Sequence, residues 1–526
     1  MEIQLNSNGG KVWQSFGENH IKGFAFYKNK FLSGNDLLNA VLSAIYDNNL
    51  NSLLLELNGN FSIVCSEGIS TYLIADKMKT YPLLYLRNNH NFFVSDQAKA
   101  ILDCDCKLTF DEESVITYIP LGYLHGDSTL LQNCKIVAAG TYVVLGDSAT
   151  VVKYHEHIYE KTESEDIDVL IEKAEQQLEK AINRMLISIG DRPIWIPLSG
   201  GYDSRLLACV LKKLNVPNVN CFTYGISSSY EVQISRQVAE ALGFKWHFIE
   251  YNDSNIAEIS THIDYFISAM NLNSTSHYQD FVAIKELKER NIMPDNAVIV
   301  PGHSGEILGR DQVPYHLLDS DCTLADLLYY RYYTRNELKG KYKRYALASL
   351  GNNFNDFQVR DDKSLAIDLF NNWNVQNRQS NFIVNAVRVY EFFNYDWRIP
   401  LWDDELSKFW FSISTDINRN VEFYNHFLFT VYFKPLKVDF YKKSYASGNF
   451  ISKIRLPFGI KYKIKYYLTK FSFLKGMYDF NNLNRITEVI DNKLVGFRLK
   501  YIKARHKYSD SSDTLFLLFL LTKKIK

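Results

Sequence analysis

The sequence predicts a two-part α and β protein: a β-rich α+β domain, then an α/β domain whose C-terminal part is mostly helical. Three observations carry this. Up to about residue 150, short apolar runs alternate with turn residues, as in strands of a small sheet domain. From about residue 166, helical and strand periods alternate, which requires a parallel sheet with crossover helices. Beyond about residue 250, apolar residues recur mainly at helical spacing.

The elements follow in order. Gly34–Asn48 has a helical period. Ser52–Leu57 reads as a strand leading into the turn signal Asn58-Gly59-Asn60. Phe61–Cys65, Thr71–Ala75, Leu83–Leu86 and Asn91–Val94 read as further strands. The polar stretch Tyr154–Asp166 places a domain boundary near 150–165. Ile167–Ile187 is helical, Ile194–Leu198 a buried strand and Arg205–Leu214 a helix. Val219–Tyr224, Glu231–Leu242 and His247–Glu250 continue as strand, helix and strand. The expected division is 1–150, 166–450 and a basic helical extension, 451–526.

Composition narrows the class. With 46% hydrophobic and 22% charged residues among 526, the chain is globular, not disordered, collagenous or a coiled coil. Basic and acidic residues balance at 59 each, which excludes a chain-wide basic coat for nucleic acid. Seven cysteines, an odd number without a CxxC pair, read as free thiols in a reducing, cytoplasmic compartment. The stretch Met1–Asn6 lacks the basic-then-apolar pattern of a secretory signal. No run approaches the ~18–20 apolar residues of a membrane span. The nearest, Leu515–Leu521, reads as a buried terminal helix or as a weak membrane or partner contact. Residues 451–507 hold 14 Lys/Arg against 3 Asp/Glu, a balance of +11. That segment is either a solvated helical face or an attractor for an anionic surface or substrate.

The sharpest local signal is Ser199-Gly200-Gly201-Tyr202-Asp203-Ser204. It follows a strand and opens a helix. Two glycines allow a tight turn and close approach to a ligand. The helix offers first-turn N–H groups and a positive dipole end, and two serines add hydroxyls. Together these make a cradle for an anion such as pyrophosphate. Asp203 would repel that anion, so it implies a bridging cation, most simply Mg²⁺. GxxxxGK[ST] occurs nowhere, so this is not a Walker A loop.

The segment resembles the pyrophosphate loop of the ATP pyrophosphatase superfamily, and residues from about 35 to 450 resemble its asparagine synthetase-like branch (asparagine synthase B family). In the first half, Leu57–Phe61, Asp76–Tyr85, Phe92–Asp96, Tyr118–Tyr123 and Ala138–Gly140 resemble successive segments of a class II glutamine amidotransferase domain. In the second, Cys221–Gly225, Pro301–Gly309, Arg398–Asp403 and Lys442–Gly448 resemble segments of the synthetase domain. The resemblance implies an Ntn-hydrolase-like β-sandwich followed by an ATP pyrophosphatase domain, using ATP and Mg²⁺. It assigns ATP binding to Pro197, Leu198, Ser199, Gly200, Gly201, Asp203, Ser204, Tyr224, Gly302 and Ser304. It assigns metal binding to Asp203 and Glu306, and catalysis to Lys442, Glu306 and His303, with Lys443 as the alternative to Lys442.

Two departures matter. Glutamine-hydrolysing relatives expose a cysteine at the mature N-terminus, and here position 2 is Glu2. The amidotransferase-like domain is therefore expected to be degenerate and to lack glutaminase activity. In the second loop Gly305 replaces the family's aspartate, Gly302 its earlier acidic residue, and His303 is new. The implied chemistry activates a carboxylate as acyl-adenylate, then transfers ammonia or an amine to it. Three readings stay open: an amide-forming ligase acting on a small or glycan-linked carboxylate, a ring-closing enzyme like β-lactam synthetases and lasso-peptide cyclases, or an inactive nucleotide-binding homologue. A homodimer and a weak membrane-surface contact through 451–526 are further expectations.

Overall fold

The structure is a computed structural model. It describes residues 1–6, 9–89, 91–162, 166–259, 261–333, 340–440, 517, 518, 520–522 and 525. Lys442, Lys443 and nearly all of the basic extension lie outside the described residues.

The first half contains β1 (Glu2–Gln4), β2 (Gln14–Phe16), β3 (Asn19–Tyr27), β4 (Lys30–Ser33), α1 (Gly34–Tyr46) and α2 (Leu50–Glu56). It continues with β5 (Asn58–Glu67), β6 (Ser70–Ala75), β7 (Leu84–Asn88), β8 (Asn91–Ser95), α3 (Ala98–Asp103) and α4 (Glu112–Leu121). The last strands of this half are β9 (Cys134–Ile136), β10 (Thr141–Leu145) and β11 (Ala149–Lys153). One sheet runs β1-β8-β7-β9 and the other β11-β10-β6-β5-β3-β2, with β4 paired to β3. Val64, Leu73, Val143, Tyr85, Phe92 and Val94 form an apolar layer between the two sheets. The larger sheet's other face packs α1 and α2 through Leu37, Val41, Leu53 and Leu54. The smaller sheet's other face packs α3 and α4 through Ile101, Leu102 and Val115. The layers therefore run helix, sheet, sheet, helix.

Two local expectations fail here. Ser52–Leu57 is not a strand but most of α2. Leu50, Leu53 and Leu54 bury one helical face and leave Leu55 exposed, a 3–4 spacing that a short leucine run does not betray. Asn58-Gly59-Asn60 is not a turn but the start of β5, paired with Ala25 and its neighbours in β3. Gly59 is needed there because an added Cβ would come within 2.5 Å of the Ala25 Cα. The polar stretch after β11 is partly buried: Tyr154, His155 and His157 are sealed, while Glu156, Ile158 and Glu160 are exposed. Tyr154 donates to the Ala75 carbonyl at 2.8 Å, and the His157 N–H donates to Asn372 at 2.9 Å.

The second half opens with α5 (Ile167–Ile189), then β12 (Ile194–Pro197), α6 (Tyr202–Lys213), β13 (Val219–Gly225), α7 (Tyr230–Leu242) and β14 (Lys245–Glu250). Helices follow, interrupted by β15 (Val298–Ile299) and β16 (Asp396–Trp397). The sheet order is β14-β13-β12-β15-β16, and every pairing is parallel. The expected parallel sheet and helical C-terminal part are both present. From β12 the chain winds outward to β14 and then returns to β15 on the other side. The order thus reverses between β12 and β15, and the crevice beyond their carboxyl ends is where such sheets bind ligands.

One apolar core runs through both halves, from Met78 and Leu84 to Trp397 and Leu428. Leu517, Leu518, Leu520 and Leu521 are buried in it, so the described residues of that apolar run belong to the core. Among the described residues no helix is long and apolar enough to cross a membrane.

Candidate active site

Two loops meet at the reversal point. The first leaves β12 and enters α6. The Ser199 Oγ lies 3.1 Å from the Ser204 Oγ and accepts from the Gly201 N–H at 3.1 Å. The Ser204 Oγ also accepts from the Ser199 N–H at 3.1 Å, so the loop folds back on the helix start. Arg205 locks it from below. Its buried guanidinium donates to the carbonyls of Gly200 at 2.9 Å, Val438 at 2.9 Å and Phe440 at 2.6 Å. Gly200 passes α7 so closely that a Cβ would stand 3.0 Å from the Glu231 Cα. Strand-end groups are already committed: the Leu198 N–H donates to Phe222 and the Leu198 carbonyl accepts from Thr223 at 2.6 Å.

The second loop leaves β15 and enters a short helix, Gly305–Leu308. It presses on the first. A Cβ at Gly302 would overlap the Ser204 N and come within 2.6 Å of the Ser204 Cα. A Cβ at Gly305 would overlap the Tyr424 hydroxyl and lie 2.6 Å from the Asp203 carboxyl carbon. The absence of side chains at these two positions is what lets the loops touch. Asp203 then accepts from the Glu306 N–H at 3.2 Å and from the Tyr424 hydroxyl at 3.3 Å. Ser304 has a left-handed backbone (φ 68°) and donates to Gln379 at 2.6 Å. Burial, with the Asp203 and Glu306 charges nearby, pushes the Tyr424 phenol well above its ordinary range.

Ser199, Gly200, Gly201, Asp203, Ser204, Gly302, Ser304 and Glu306 are thus gathered at one crevice, and Pro197 and Leu198 lead into it. Tyr224, at the end of β13, is turned to other partners. Its hydroxyl donates to Asp280 at 2.5 Å and its ring stacks on Tyr251 at 5.0 Å. Burial raises the Asp280 carboxyl above the usual range although Tyr224 and Tyr390 both donate to it. His303 is half-buried, and desolvation, aided by the nearby His277, lowers its imidazole to about 4. It is neutral at pH 7 and weakly basic. Tyr424, Arg205 and Gln379 were not legible from the sequence. Arg205 alone left a trace: one charge at the head of the apolar run Leu206–Leu211.

The donor set suits Mg²⁺. Asp203 and Glu306 offer carboxylates on facing loops, and no group of three or more acidic, His or Cys side chains gathers among the described residues. Mg²⁺ is typically held by one or two carboxylates, with phosphate oxygens and water completing its shell.

The parallel sheet, with this loop at its reversal point, makes an α/β domain with a ligand crevice at the carboxyl ends of its central strands. More particularly, residues 173–305 match the family model described as asparagine synthase, roughly a quarter of the chain. No curated protein matches the chain. Among solved structures, an NH3-dependent NAD synthetase from Campylobacter jejuni aligns at 17% identity, with a TM-score of 0.18. That alignment covers 28% of this chain and 61% of the NAD synthetase. A U34-tRNA thiolase from Methanococcus maripaludis aligns at 12% identity over 65% of this chain and 85% of its own, with a TM-score of 0.22.

Proposed function

We propose that the chain is an ATP-dependent carbon–nitrogen ligase of the asparagine synthase type. The observation that carries this is the seating of Gly302 on the Ser204 backbone. It brings Glu306, one residue past the segment that matches the asparagine synthase family, to Asp203 within that segment, beside the Ser199–Ser204 loop.

In this reading the pyrophosphate part of ATP lies along Ser199–Ser204, at the positive end of α6. An oxygen of the substrate carboxylate attacks the α-phosphorus. The bond to the β-phosphate breaks, and pyrophosphate leaves with its charge held by the loop. The product of that step is an acyl-adenylate. Ammonia or an amine then attacks the acyl carbon, AMP leaves, and an amide forms. His303, neutral at pH 7, or Glu306 when it is not holding metal, would take the proton from nitrogen. Asp203 and Glu306 would hold Mg²⁺, whose charge would offset that on the phosphate oxygens. Lys442 is proposed to act on the same oxygens.

The test is pyrophosphate release from ATP and Mg²⁺ with a panel of carboxylates, each with ammonia, an amine or glutamine. Release should depend on one class of acid and fall at least about a hundredfold in Asp203→Ala. Release with no acid dependence would overturn the proposal. Product formed without any added nitrogen donor would favour ring closure within one substrate.

A further inference from the structure

A second group of polar side chains stands beside the Gly302–Glu306 loop. Ser304 ties the loop to Gln379, and Arg378 precedes it in sequence. The Arg378 guanidinium sits 6.0 Å from the centre of the Phe382 ring. Phe382 in turn packs 5.5 Å from Tyr123 and 4.5 Å from His277. At the loop's other end, the Asp311 N–H donates to the Glu306 carbonyl at 3.3 Å. Gln312 joins Asp311 to Arg331, donating to the first and accepting from the second. Arg331 lies 6.0 Å from the ring centre of Tyr332. These two chains of contacts close on each other. Asp311 is within electrostatic reach of Glu306, Arg331 and Arg378, and both Tyr123 and Tyr332 of the two arginines.

Several atoms of this group are left without partners. The Asp311 Oδ1, the Arg331 Nε and the hydroxyls of Tyr123 and Tyr332 are buried with no hydrogen bond. Tyr123 is only 3% exposed. Neither Arg331 nor Arg378 has a carboxylate within ion-pair distance among the described residues. Native proteins hold few buried polar atoms of this kind, because each forfeits its bonds to water. Four of the 27 such atoms among the described residues gather here, with two guanidiniums that lack a carboxylate partner, next to the crevice, and a polar anionic ligand would satisfy them.

We propose that this group is the acyl-substrate pocket and selects a hydroxylated carboxylic acid bearing a second anion. The inference rests on the adenylation reading of the adjacent crevice. One carboxylate is consumed at the α-phosphorus. The planar forks of Arg331 and Arg378 suit a further carboxylate or phosphate. The tyrosine hydroxyls and Asp311 suit the substrate's hydroxyl groups. An apolar acid would leave all of these unmet.

Binding is measured by calorimetry on the full chain without ATP, using three probes: glucuronate, glucarate and glucuronate 1-phosphate. The first carries one anion, the second adds a carboxylate and the third a phosphate. At least one doubly anionic probe should bind about tenfold or more tighter than glucuronate. The stronger of the two identifies the second anion. Arg331→Met and Arg378→Met should each remove that advantage, with the unfolding temperature unchanged. Arg378→Lys, which keeps charge but loses the fork, should fall between and guards against a folding defect. Equal affinities, no binding of any probe, or an advantage that survives both substitutions would overturn the inference. Pyrophosphate exchange on the same samples separates the two proposals. Selective binding without exchange sinks adenylation but leaves the pocket. Exchange that is as fast with glucuronate as with the doubly anionic probes sinks the selectivity but leaves adenylation.

Discussion

At the residue scale the site is defined as much by missing side chains as by present ones. Gly302 and Gly305 stand where the resembled family carries acidic residues, and the structure gives the physical consequence. The space at 305 is taken by the Asp203 carboxyl and the Tyr424 hydroxyl. Restoring the family residue should therefore not add a metal ligand. Gly305→Asp should lower stability by about 1–3 kcal/mol, as overpacking does, in thermal or urea unfolding. An equally stable or more active variant would show that the loops part readily. The Ser199–Ser204 loop was legible in the sequence because its chemistry is local: small residues and hydroxyls in fixed order before a helix. Arg331, Arg378 and Asp311 were not. Each is a lone charged residue in a chain with 118 of them, given meaning only by folding.

At the element scale, an ion pair of the second half and a polar contact from the first meet at one carboxylate and fasten the halves. Arg184 on α5 donates to both oxygens of Asp403, at 2.7 Å each, and Asn58 at the start of β5 donates to the same carboxylate at 3.0 Å. Asp403 also caps the helix Asp404–Ser412 through the Glu405 and Leu406 N–H groups. Arg184→Met should cost about 3–5 kcal/mol in urea unfolding, because it leaves Asp403 buried and short of its cation. A loss under 1 kcal/mol would mean that water takes the guanidinium's place. The segment joining the halves carries a pH dependence. His157 is buried, and desolvation lowers its imidazole to about 4 from 6.5. The unfolded chain binds that proton first, so this contribution to stability is present above 6.5 and lost as pH falls towards 4. His157→Gln should remove it. Between pH 6.5 and 5 the variant should lose about 2 kcal/mol less than the parent. Identical pH profiles would contradict the burial. The sequence showed this segment only as polar, since nothing local tells a solvated histidine from one sealed under another domain. Likewise the Leu53–Leu55 run could not separate a buried strand from the helix it forms.

At the scale of the whole molecule, alternation of strand and helix made the parallel sheet legible, because each period is written in consecutive residues. The sheet order was not. β15 and β16 are two residues long and lie about a hundred residues apart, and only tertiary pairing shows that β15 lies beside β12 and β16 beyond it. That pairing is what brings the loop after β15 onto the loop after β12 and so makes the crevice. It leads to one central claim, that a carboxylate attacks the α-phosphorus of ATP here. The most direct measurement follows a heavy-oxygen label placed in the carboxylate of whichever acid supports pyrophosphate release. If the acid is adenylated and then aminated, one labelled oxygen appears in AMP. Label in inorganic phosphate, with ADP as the nucleotide product, would contradict the account.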